Sequence, residues 1–133
     1  MASFQSDRIF RMSSFNPTHR QMILRSDPVS DPNANKRIEL HFGNVEYMAL
    51  RPILRGVNVR PANMLERSEI AGRYGIERNL EFAFILDEGL PMSFVISGHP
   101  SWRAARCAID DPSLFLVPPP WSPELETDSG VVD

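Results

Sequence analysis

The chain has 133 residues, 42% of them hydrophobic and 23% charged, with a net charge of −3. That is the composition of one globular domain able to bury about two-thirds of its unfolded surface, and no apolar run approaches the ~18 residues that span a bilayer, which excludes a membrane-spanning helix. Residues 118–133 hold four of the 17 acids and no base, leaving 13 acids against 14 bases in residues 1–117; a near-neutral body with an acidic end argues against general nucleic-acid binding, which draws on cationic surface.

From the N-terminus, "MASFQSDRIFRM" carries charges at Asp7, Arg8 and Arg11 and no apolar stretch of signal-peptide length, so a cytoplasmic location is the expectation. "RIFRMSS" and "RQMILRS" read as two short strands joined by a turn at "FNPTH", where Pro17 removes a ladder donor. "DPVSDPNANK" follows, with two Asp-Pro steps, as an exposed loop.

"RIELHFGNVEYMAL" alternates apolar and polar residues around Gly43-Asn44, which predicts a tight hairpin pairing Phe42 with Val45 and His41 with Glu46. In that register Ile38, Leu40, Phe42, Val45 and Tyr47 share the buried face, while Glu39, His41 and Glu46 face water. After Pro52, "ILRGVNVRP" predicts a short bent or edge strand with Gly56 at a bulge.

"PANMLERSEIAGRYG" is the one helix candidate: Asn63 followed three residues later by Glu66 resembles a capping box, and Gly72 or Gly75 supplies a stop. "LEFAFIL" and "LPMSFVIS" predict a second hairpin turned at "DEG", with Leu80, Phe82, Phe84 and Leu86 in phase with Met92, Phe94 and Ile96. Ala83, Ile85 and Val95 make the opposite face apolar too, as in strands covered on both sides. Another strand is expected through Ala104 to Ile109, then a turn at Asp110-Asp111-Pro112 and the apolar run "LFLV". The fold class is therefore mainly β, a small antiparallel sandwich or partly open barrel with at most one short helix, over residues 1–117. Residues 118–133 form a separate Pro-rich acidic tail.

No Gly-rich phosphate loop or G-x-S-x-G elbow is present, and the histidines at 19, 41 and 99 have no metal-ligand spacing. No catalytic residue, metal site or cofactor is assigned from these features. The single cysteine, Cys107, cannot form an internal disulfide, and it reads as a small buried hydrophobe in a strand; Arg103 or Arg106 could activate it only at close range. Thirteen of the 14 bases are arginine, which suits forked anion recognition, although their even spread along the chain suggests a compositional bias.

Two segments carry the functional expectations. In "VPPPWSPELETDSGVVD" the prolines favour an extended conformation, so Trp121 flanked by Pro119, Pro120 and Pro123 reads as a docking peptide, with the acids steering a basic partner. In "GHPSW" the turn residues His99 and Trp102, with Arg103 and His41, form the alternative, a small-molecule or metal site in a β-barrel. The leading expectation is a non-catalytic protein-interaction module, binding a protein partner or another copy of itself through a sheet edge or the Trp121 segment.

Overall fold

A computed structural model describes residues 2–28, 36–87, 92–116 and 127–133. Among these residues there are nine strands and one α-helix, in the order β1 (Phe4–Asn16), β2 (Gln21–Ser26), β3 (Arg37–Phe42), β4 (Tyr47–Ala49), β5 (Ile53–Pro61), α1 (Met64–Tyr74), β6 (Ala83–Asp87), β7 (Ser93–Ile96), β8 (Ser101–Ala105) and β9 (Asp128–Val131). They form one antiparallel sheet in the order β4-β7-β6-β5-β1-β2-β3-β8-β9, which does not close. The expected mainly β class with a single helix is what the chain adopts.

The first hairpin forms as its sequence dictates. Phe15 pairs with Met22, and the Asn16 side chain accepts from the backbone N–H groups of Thr18 and His19, an Asx turn that leaves Pro17 without a donor to satisfy. β5 pairs with β1 along its other edge, so it is an interior strand instead of the short edge strand expected. Pro52 precedes it and Pro61 is its last residue, so neither proline interrupts the ladder. The register slips between Ser6 and Ile9 opposite Gly56, whose φ of 89° is open to glycine and strained for other residues.

Gly43-Asn44 does not make a hairpin. β3 is already paired on both edges, with β2 and with β8, so no edge remains for the residues that follow. The chain crosses instead to β7, where Tyr47 pairs with Ile96, and on the way the Val45 N–H donates to the Arg20 carbonyl. Tyr47 is consequently half exposed and Glu46 bonds Arg20 at 2.8 Å, not His41.

The second hairpin exists, with its phase shifted from the expectation. Phe84 pairs with Val95 and Ile85 with Phe94, so Phe84, Leu86 and Val95 enter one core while Ala83, Ile85, Phe94 and Ile96 enter another. Leu80–Phe82 is a 3-10 turn, not strand, and its connecting turn at 88–91 lies outside the described residues. The main core gathers Phe10, Met22, Leu24, Leu40, Phe42, Leu54 and Val59 on the inner face of the curled sheet. The second lies on the outer face, where Ile70 and Tyr74 of α1 cover β6 and β7.

α1 starts at the predicted capping box, with Asn63 and Glu66 exchanging both hydrogen bonds, and ends at Gly75 in the left-handed region. The Arg60 fork grips both Glu66 oxygens at 2.7 Å and is the largest influence holding that carboxyl below its ordinary pKa. This contact ties the helix start to β5.

Of the segment 118–133, the residues 118–126, including Pro119, Pro120, Trp121 and Pro123, lie outside the described residues. Asp128–Val131 adds to β8, and Val132 is fully buried in the main core. Among the described residues no helix is long and apolar enough to cross a membrane.

Candidate functional site

The outer face of the sheet can be read as rows of paired residues. One row runs Ile53, Arg11, Arg25, Glu39, Arg103 and Ser129 across β5, β1, β2, β3, β8 and β9. Such a row would be solvated if nothing lay over it, which is why alternation alone assigns Glu39 to water. The segment 106–116 folds over β2, β3 and β8 and buries it: Arg37 is 0% exposed and Glu39 1%.

Burial of two charges is costly unless their polar groups find partners, and of this pair only the Arg37 Nε has no hydrogen bond. The Arg37 guanidinium donates to the carbonyls of Ala108 at 2.6 Å, Ile109 at 3.2 Å, Asp111 at 3.0 Å and Pro112 at 3.0 Å, and to Glu39 at 3.4 Å. Glu39 accepts from the Ser113 hydroxyl at 2.5 Å and the Leu114 N–H at 2.9 Å. Arg25 reaches the Ile109 carbonyl and Arg103 the Leu114 carbonyl, so three arginines, with Arg37, and one glutamate fasten a single loop. Loop anchoring gives three of the arginines a structural role, since five donors in a planar fork can serve several carbonyls at once.

The residues expected at a ligand site are all engaged in this packing. His41 stacks on Phe115 with ring centroids 5.0 Å apart, and Arg103 lies 4.5 Å over the same ring. Trp102 packs on Phe4 at 5.3 Å and covers Gly130 so closely that a Cβ there would lie 2.5 Å from its indole nitrogen. The His99 Nδ1 is 3.1 Å from the Val132 carbonyl, and its ring stands edge-on to Phe84. His41 and Arg103 share Phe115, whereas His99 and Trp102 fasten the last strand. Cys107 lies just past β8, half-buried, and its burial raises the thiol pKa, with the Arg37 charge the largest influence the other way.

Burial, ahead of the Arg103 charge, lowers the His41 pKa. The unfolded chain therefore binds a proton here at a higher pH than the folded protein does. This group's effect on stability is constant above the unfolded value of about 6.5, stability falls as the pH drops below it, and the fall ends once the folded form is protonated as well. His41→Gln is expected to flatten the acid-side slope of unfolding free energy against pH; identical slopes in the two proteins would exclude His41 as its source.

Two covers thus lie on the outer face, α1 over β6 and β7 and the 106–116 loop over β2, β3 and β8. Between them β5 and β1 are left open. Ile9 is 53% exposed and Ile53 50%, with Ile109 at 69% on the loop's rim, values far from those of core aliphatics. Arg11 pairs across the strands with Ile53, and Ile9 with Arg55. The Arg11 and Arg55 side chains are exposed and make no hydrogen bond or ion pair among the described residues.

Two hollows flank this strip. One, of about 480 Å³, is lined by Arg8, Ile9, Arg11, Asp27 and Ile109. The other, of about 370 Å³, is lined by Arg55, Gly56, Asn58 and Asp87, where β5 and β6 diverge after pairing only at Arg60 and Pro61. Asp7, displaced by the bulge, borders both. Alternation signals the open strip, since Ile9 and Ile53 are aliphatics out of phase with Phe10 and Leu54, but the strand reading did not single them out.

A separate concavity of about 230 Å³ lies between Asn44, Glu46, Asn79 and Phe82, with Asn44 and Asn79 at positive φ. Its carboxylate, Glu46, is already held by Arg20. Among the described residues no group of three or more His, Cys, Asp or Glu side chains is placed to hold a metal ion. Comparison with protein-family models, with curated proteins and with solved structures finds no match, so geometry alone carries the functional reading.

Proposed function

We propose that this chain is a protein-interaction module whose docking surface is the open strip of β1 and β5. The observation that carries this reading is the pairing of exposed aliphatics with unengaged arginines, Ile9 beside Arg55 and Ile53 beside Arg11, on a rigid sheet between two covered regions. Exposed apolar side chains in a contiguous patch rimmed by polar groups mark interaction surfaces, and arginine is enriched at interfaces. A non-catalytic role accords with the engagement of His41, His99, Trp102 and Arg103 in packing contacts. Trp121 and its prolines remain a second docking element of the same module by sequence.

The test is gentle capture from the source lysate with the wild-type chain and with Ile9→Ser/Ile53→Ser. Both sites are solvent-exposed, so the variant should keep its fold within about 0.5 kcal/mol per substitution. Native mass spectrometry is expected to find a stoichiometric protein on the wild type and its loss from the variant. Equal retention by a folded variant would remove this surface from the proposal.

A further inference from the structure

We infer, resting on the interaction-module reading, that the strip binds an acidic partner segment bearing branched aliphatic side chains. The argument is one of charge and shape complementarity. Around the groove stand the guanidiniums of Arg8, Arg11, Arg25 and Arg55 against the carboxylates of Asp7, Asp27 and Asp87, the last of which is bonded to Arg51. Asp27 and Arg25, 2.6 Å apart, offset each other, as do Asp87 and Arg51, which leaves Arg8, Arg11 and Arg55 against Asp7. Arg8 spends its donors on the carbonyls of Ser26, Asp27 and Lys36, neutral groups that fix the side chain, while the Asp27 and Asp7 carboxylates offset only part of its charge. Positive potential therefore persists along the strip, on side chains that are free at Arg11 and Arg55 and pre-positioned at Arg8.

The aliphatic requirement comes from Ile9, Ile53 and Ile109. The 480 Å³ hollow that two of them line is in the range of roughly 300–1,000 Å³ seen for binding pockets, and a branched side chain entering it would bury apolar surface beside the carboxylate-seeking arginines. A second copy of this chain fits poorly: a symmetric contact would set Arg11 and Arg55 against strips with the same unengaged charges. Nucleic acid would satisfy the arginines and leave the three isoleucines without a counterpart.

A random peptide library displayed on phage, selected on the intact protein and counter-selected on Arg11→Glu/Arg55→Glu, tests this. The selected peptides are expected to be net negative and rich in Ile, Leu or Val. Their binding should weaken at raised salt, and should fall about tenfold or more on the charge-reversed protein, with Arg11→Gln/Arg55→Gln between. Circular dichroism confirms that each variant is folded. Enrichment of neutral or basic peptides, no enrichment, or affinity unchanged by charge reversal overturns the acidic-partner inference; so does tight capture of a single-stranded oligonucleotide in place of peptides. The two readings separate in the lysate. A protein lost from Ile9→Ser/Ile53→Ser and kept by the charge-reversed variant leaves the module standing and removes the acidic partner, while one kept by both removes both.

Discussion

Arg37→Met is expected to destabilise the fold by about 3–5 kcal/mol, the cost of breaking a buried ion pair by deleting one member. The methionine keeps most of the side-chain volume, so the loss is electrostatic and not a cavity effect. It leaves Glu39, 1% exposed, without its direct ion pair, and it orphans the Asp111 and Pro112 carbonyls that Arg37 alone is seen to satisfy. Segment 106–116 should then detach from β2, β3 and β8, because the carbonyls that held it down now prefer water. Urea unfolding measures the free energy, and hydrogen exchange with limited proteolysis shows whether the loss is confined to that loop. A double variant, Arg37→Met/Glu39→Gln, should cost less than the sum of the single changes, because it removes the stranded charge. A single-variant cost below about 1 kcal/mol would mean that the loop is held by its apolar contacts, Leu114 and Phe115, instead.

The same loop explains what could be read from the sequence and what could not. Features encoded within a few residues were legible: the Asn63 and Glu66 cap, the turn after Asn16, the bulge at Gly56 and the strand character of the segments around Phe84 and Phe94. Features fixed by distant chain were not. Glu39 reads as solvated because its alternation is correct for the sheet and silent about a cover arriving from residues 74 and 75 positions further on. The Gly43-Asn44 hairpin failed for the same reason, since β8 takes the edge of β3 that a hairpin would need. The phase of the second hairpin was ambiguous in principle: both faces of β6 and β7 are buried, so hydrophobicity carries no sign of which residue faces which core. Of the site, Ile9, Arg11, Ile53 and Arg55 are visible as an alternating set, but their exposure depends on where two separate covers stop.

Ending the chain at Val117 is expected to destabilise it by several kcal/mol. The truncation removes residues 118–126 and also β9, and the second loss decides the outcome. Val132 is fully buried in the main core, and its removal alone forfeits about 1.5–3 kcal/mol of apolar burial and leaves a cavity. The Val132 N–H bond to the Pro100 carbonyl and the Val132 carbonyl contact with His99 disappear with it, and β8 loses its ladder from Ser101 to Ala104. Trp102, which packs against Gly130, is uncovered and becomes an apolar group on a new sheet edge, the arrangement that promotes edge-to-edge association. Thermal or urea unfolding with size-exclusion chromatography would register the change, the truncated chain melting lower and eluting partly as oligomers. A truncated chain as stable and monodisperse as the parent would show that β9 adds nothing to the core. Because truncation acts on the fold, loss of a partner by the shortened chain says nothing about Trp121. Trp121→Ala in the full chain is the change that isolates it, since β9 stays in place and only the docking side chain is removed, and a hot-spot role predicts a binding loss of about 2 kcal/mol or more with unfolding unaltered.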